Sequence, residues 1–158
     1  MRRFPMIVTL LPVVFVTLLA GALPAAAADS PIGTYAKKGK DGKGEMTVQI
    51  EEWGRGGAKL VWRFKGGGMD GMSMSVASGL DGKDAPVLVN GKPSGETMAI
   101  KLIDKLHSST IVKMNGQPFG TSKGTFSADF KTLTVENDFA TSAGGNQAGK
   151  TTEVWVRQ

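Results

Sequence analysis

The sequence predicts an all-β protein, an up-and-down antiparallel β-barrel of about eight to ten strands behind a cleaved amino-terminal signal peptide. Three observations carry this reading. Asp-Gly and Asn-Gly pairs recur, at Asp41-Gly42, Asp70-Gly71, Asp81-Gly82, Asn90-Gly91 and Asn115-Gly116. Such pairs tolerate the positive φ that two-residue hairpin turns require. Between the turn signals lie short segments of period-two alternation, and no long stretch has helical periodicity. The turns are also short, so consecutive strands pair with each other. A meander of this length protects its edges by closing on itself. An open sandwich is the alternative architecture.

The chain opens MRRFPMIVTLLPVVFVTLLAGALPAAAADS. Arg2 and Arg3 form a positive n-region. Met6 to Ala20 is an apolar run too short to span a bilayer comfortably, and the small residues that follow end in Ala26-Ala27-Ala28. Residues 1–28 therefore read as a secretory signal cut after Ala28, with residues 29–158 as a single β-barrel domain. A retained membrane anchor is the alternative. Phe4-Pro5 breaks the twin-arginine pattern. Leu19-Ala20-Gly21-Ala22 has alanine where a lipoprotein carries its lipidated cysteine, and the chain has no cysteine. The expectation is an exported protein, periplasmic or extracellular, with no stable membrane anchor after cleavage.

The domain of about 130 residues is long enough for one real core. Without cysteine it has no disulfides, although an exported compartment permits them. Packing and ladder hydrogen bonds must hold it. The formal charge is +5, and loss of Arg2 and Arg3 with the leader lowers it by two. The lysines are spread among turns, which describes a solvated surface rather than a nucleic-acid footprint.

Strands are expected near 33–38, 46–53, 58–65, 72–78, 85–89, 96–103, 109–114, 118–127, 131–138 and 150–157. Further turn signals lie at Gly54-Arg55-Gly56-Gly57, Asp104 to Ser109, Ala128-Asp129 and Gly144-Gly145-Asn146. Several strands have one apolar face. Met46, Val48 and Ile50 alternate with Thr47, Gln49 and Glu51. Leu60, Trp62 and Phe64 alternate with Val61 and Arg63, and Met98, Ile100 and Leu102 with Thr97, Ala99 and Lys101. Leu133 and Val135 alternate with threonines and Glu136. One wet face and one dry face is the antiparallel pattern. In the last strand either Val154 and Val156 face inward, or Glu153, Trp155 and Arg157 do. In the second case Glu153 and Arg157 are placed to pair.

Gly33-Thr34-Tyr35, Asp81-Gly82-Lys83-Asp84-Ala85-Pro86-Val87, Ile103-Asp104, Ser127-Ala128-Asp129-Phe130-Lys131-Thr132-Leu133-Thr134-Val135 and Val154-Trp155-Val156-Arg157 follow one another along the chain. In this order they resemble the motifs of small exported bacterial proteins described as lipocalin-like, mostly of unassigned function. Those proteins carry Trp where Tyr35 stands, Tyr where Ala85 stands and Gly where Phe130 stands. The resemblance implies a calycin-type barrel and, by analogy, an apolar ligand. It also implies that Arg157 closes one barrel end over an aromatic residue, here Tyr35. Intracellular fatty-acid-binding proteins open similarly and end in Arg-x-Tyr. Here Glu153-Val154-Trp155 places an acid where their clamp needs a cation, and Lys37 to Glu45 reads as a loop rather than a helical lid.

Candidate chemistry centres on KGGGMDGMSMSVASG, residues 65–79. Met72, Met74 and Val76 alternate with Ser73, Ser75 and Ala77 and share one face of a strand. They read as flexible core filler or as the lining of a ligand cavity. The lumen candidates are Met46, Val48, Ile50, Leu60, Trp62, Phe64, Met72, Met74, Met98, Ile100 and Met114. A third reading is a Cu(I) site built from Met69, Met72, Met74 and His107, since thioethers suit that ion. His107 otherwise reads as a surface turn residue. Catalysis lacks support: there is one histidine and no zinc-spaced pair. Glu51 and Glu52 point to opposite faces, and Asp81 and Asp84 flank a turn. The functional expectation is a non-catalytic exported barrel without a cofactor that takes a small apolar or amphipathic molecule in its interior. A solid-core interaction module is the alternative, and a periplasmic copper carrier the third reading.

Overall fold

The computed structural model describes residues 29–39, 42, 44–140 and 148–158. The expected signal peptide at 1–28, Asp41 and the Gly144-Gly145-Asn146 turn signal lie outside them. The described chain forms ten strands: β1 (Gly33–Lys38), β2 (Glu45–Trp53), β3 (Gly57–Lys65), β4 (Ser73–Ser78), β5 (Asp81–Val89), β6 (Lys92–Leu102), β7 (His107–Met114), β8 (Gln117–Phe126), β9 (Thr132–Phe139) and β10 (Gly149–Arg157). Each pairs antiparallel with its sequence neighbours, and β1 pairs with β10 to close the barrel.

The hairpins show why the turn signals work. Asn90 and Gly91 have φ of 48° and 78°, and Asn115 and Gly116 have 49° and 82°. Two successive left-handed residues make the turn whose twist matches the flanking strands. Asp81-Gly82 behaves differently. It lies inside β5, where Gly82 serves a register shift between Asp81 and Asp84, and the reversal comes earlier, at Gly79-Leu80. The Asp81 carboxylate accepts the Lys83 backbone N–H at 3.1 Å, so the aspartate organises a β-bulge instead of a hairpin. For that reason β5 begins before the expected 85, and β6 likewise begins before 96.

The seam joins Tyr35 to Arg157 and Ala36 to Val156. It fixes the face of the last strand. Trp155 is buried while Val154 and Val156 are about half exposed, so Glu153, Trp155 and Arg157 belong to the inner set. The expected Glu153–Arg157 pairing does not form, because each finds a different partner. Arg157 donates to the backbone carbonyls of Ser30 at 2.9 Å and of Ile32, and to the Tyr35 hydroxyl at 3.3 Å. Its guanidinium stands over the Tyr35 ring, 5.6 Å from the centroid. Tyr35 in turn donates to the Phe130 carbonyl at 3.1 Å. Burial pushes the Tyr35 phenol above its ordinary range, opposed by the adjacent Arg157 charge.

Phe130 takes the left-handed backbone (φ 52°) where the lipocalin-like pattern carries glycine. That conformation costs a non-glycine residue on the order of 1 kcal/mol. The strain is offset by complete burial of the ring, which packs against Phe126 at 5.7 Å; Phe126 packs against Tyr35 at the same distance. These residues form an aromatic clasp at the end of the barrel where β1 begins and β10 ends. Two core clusters fill much of the rest. One gathers Tyr35, Val48, Ile50, Ala58, Leu133 and Trp155, the other Val76, Ala85, Val87 and Ile100.

Candidate functional site

The core does not fill the barrel. A cavity of about 550 Å³ remains inside it, within the range of small-ligand sites. Inward positions on β2, β3, β4 and β6 supply one wall: Met46, Val48, Ile50, Leu60, Trp62, Phe64, Met74, Met98 and Ile100 all contribute. These are nine of the eleven lumen candidates. Met72 and Met114 are half-buried and stand outside the lining. Met72 precedes β4, and its N–H closes a turn onto the Met69 carbonyl at 3.1 Å. The Met114 sulfur lies close to Gly95, at the Asn115-Gly116 hairpin.

The opposite wall comes from β7 to β10 and β1, and it is mixed. Ser108, Thr110, Ser122, Asn137, Glu153 and Lys37 line it together with Val112, Phe126, Leu133, Val135, Phe139 and Trp155. Their alignment follows from register. Thr110 stands opposite Ser122, Ser122 opposite Asn137, and Asn137 opposite Thr151. One row of four polar side chains thus runs across four adjacent strands. Within it the Ser122 hydroxyl donates to Asn137 Oδ1 at 2.6 Å, and Asn137 Nδ2 reaches Thr151 Oγ1 at 3.5 Å. Beside the row the Lys37 ammonium donates to the Glu153 carboxylate and stands 4.9 Å from the Trp155 ring centroid. The pair is largely buried and internally neutral. The buried Trp155 Nε1 has no hydrogen-bond partner among the described residues.

Two glycines of β8 let neighbouring side chains pack into this wall. The strand's inward positions read Gly120, Ser122, Gly124, Phe126. At Gly120 the room is already taken, since a Cβ would stand 2.1 Å from the Phe139 ring. At Gly124 a Cβ would likewise stand too close, 2.7 Å from the Ser108 hydroxyl, so the missing side chain makes room for Ser108 on β7. The exposed members of the lining are Glu52, Gly54, Gly56 and Leu102. They lie at the end where the β2–β3 turn and the aromatic clasp sit, and they mark where the cavity meets solvent.

The copper set is not assembled. Met69 and Met72 lie in the β3–β4 connection, at the opposite end of the barrel from His107 at the start of β7. His107 Nδ1 lies 2.8 Å from the Asp104 carboxylate in an exposed turn. That carboxylate is held below its ordinary range first by the Leu106 N–H and then by His107. Reasoning from sequence missed Lys37, Thr110, Ser122 and Asn137 as lining residues. Parity offered the signal for one of them: counting two residues on from Leu133 and Val135 leads to Asn137.

No family model matches the chain, and no curated protein matches it. Among solved structures, a mutant of the fluorescent protein UnaG shares the fold with a TM-score of 0.57 and 12% sequence identity. The alignment covers 80% of this chain and 95% of that one. The architecture is a closed, ten-stranded antiparallel barrel of lipocalin or calycin type.

Proposed function

We propose that this protein is an exported, non-catalytic carrier that holds a small amphipathic molecule inside its barrel. The observation that carries the reading is the cavity of about 550 Å³ with one apolar wall and one that sets a row of polar groups among apolar ones. A barrel stabilised by packing alone gains nothing from leaving such a space, since each unfilled volume forfeits dispersion contacts. The aromatic clasp and the Phe139 ring over Gly120 show that this sequence fills its interior tightly elsewhere. Export is proposed from the leader-like run ending at Ala28, and kinship with the small exported lipocalin-like proteins of bacteria from the motifs at Gly33, Asp81, Ser127 and Val154.

Native mass spectrometry of the protein after mild purification tests the carrier reading. The expected result is a bound mass of a few hundred daltons that is lost in the cavity-filling variants Leu60→Trp and Met74→Trp. A wild-type protein that stays empty, and that takes up no apolar dye, ends the reading. Amino-terminal sequencing of exported material tests the leader: the first residue is expected to be Asp29.

A further inference from the structure

We infer that the bound molecule presents an uncharged, hydrogen-bonding edge to the β7–β10 wall, and that the Lys37–Glu153 pair is what rejects ionic head groups. The inference rests on the cavity being a binding site and adds the chemical class of its occupant. It stands on geometry. Thr110, Ser122, Asn137 and Thr151 are register partners in a single row, so their polar atoms follow the wall rather than converge on a point. A converging cluster suits one charged head, whereas a row suits hydroxyl or carbonyl groups spaced along an apolar skeleton. The hydroxyls of Ser108 and Thr110 line the cavity and make no hydrogen bond to another described residue. They are free to donate or accept.

The charged groups on this wall are Lys37 and Glu153, and they neutralise one another. A carboxylate brought to Lys37 also meets Glu153, and an ammonium brought to Glu153 also meets Lys37. Either must shed its water in a cavity that offers neutral hydrogen-bonding groups and no unopposed opposite charge, which is unfavourable. A neutral head avoids that penalty and gains the row. Glu52, at the mouth, adds a negative charge that further disfavours an anion on entry.

Three probes with one common chain test this: decanol, decanoate and decylammonium, titrated near neutral pH and followed by calorimetry. Wild-type protein is expected to bind decanol roughly tenfold or more tightly than either ion. Glu153→Gln leaves Lys37 unopposed and should turn the preference toward decanoate. Lys37→Met leaves Glu153 unopposed and should turn it toward decylammonium. The double variant, Lys37→Met with Glu153→Gln, should again rank decanol first. Equal affinity for all three probes, or a wild-type preference for either ion, overturns the head-group assignment while leaving the carrier reading in place. Failure of all three to bind overturns both. Should a single variant lose its fold, the wild-type ranking alone decides.

Discussion

On β2 and β3 the inward positions of the cavity carry Met46, Val48, Ile50, Leu60, Trp62 and Phe64; on β7 to β9 they mix Ser108, Thr110, Ser122 and Asn137 with Val112, Phe126, Leu133, Val135 and Phe139. Both walls belong to one sheet and face one space, yet they relate to stability differently. Apolar side chains gain by leaving water whatever else the cavity holds. Hydroxyls and amides gain only when each finds a partner, and otherwise lose their hydration for nothing. The apolar wall therefore serves the fold first and a ligand second. On the polar side Ser122, Asn137 and Thr151 satisfy one another, whereas the Ser108 and Thr110 hydroxyls have no partner among the described residues and have their best use in something that enters the cavity.

Substitutions can break this contrast. The largest effect is expected where the polar side has no room at all. Gly120→Val forces a side chain into the Phe139 ring and should cost about 3 kcal/mol or more, read as a lowered urea midpoint. An unchanged midpoint would show that the ring swings away freely. On the apolar wall, Leu60→Ala should cost about 2 kcal/mol, at the lower end for a buried leucine because one side of it already faces empty space. A cost as small as that of the polar-wall changes would erase the distinction between the walls.

Glu96 sharpens the contrast from the other direction. It is a carboxyl on β6, part of the apolar side, buried and without a partner among the described residues. Burial pushes its pKa above the ordinary value of 4.5. The folded state then holds the proton more strongly than the unfolded state, so stability falls as pH rises from 4.5 through the raised folded value. Glu96→Gln should accordingly stabilise the protein at neutral pH by about 1 kcal/mol, and the advantage should vanish in melts below pH 4.5. A constant difference across that range would mean that the carboxyl is not the cause. The smallest change is expected for Thr110→Val, which removes an unpaired hydroxyl at nearly constant volume. The empty protein should stay within about 0.5 kcal/mol of wild type while its affinity for decanol drops. Unaltered affinity would remove Thr110 from the binding wall.

The sequence disclosed the fold more readily than the site, and particular residues show why. Asn90-Gly91 and Asn115-Gly116 have few alternatives to a hairpin turn, so strand order and pairing followed from them. Asp81-Gly82 misled because the same dipeptide also suits a bulge, and only the register with Lys101 separates the two uses. The apolar wall was legible from simple alternation, as at Leu60, Trp62 and Phe64. Strand β8, reading QPFGTSKGTF, has no consistently apolar face, so nothing local marks Ser122 and Gly124 as inward. In β10 both faces carry apolar residues, and the decision is made far away, by the pairing of Tyr35 with Arg157. Lys37 and Glu153 became visible as a pair only once that seam was closed.

The seam also governs the order of events in folding. Adjacent hairpins can zip locally, but the bond between Arg157 and Tyr35 joins residues 122 positions apart, and it waits for one very large loop to close. Contacts of such separation slow folding. In refolding followed by stopped flow, the fluorescence of Trp155, which lies beside the seam, should therefore settle after the backbone circular dichroism has already reached its final value. Simultaneous traces would mean that the ring shuts as early as its hairpins form.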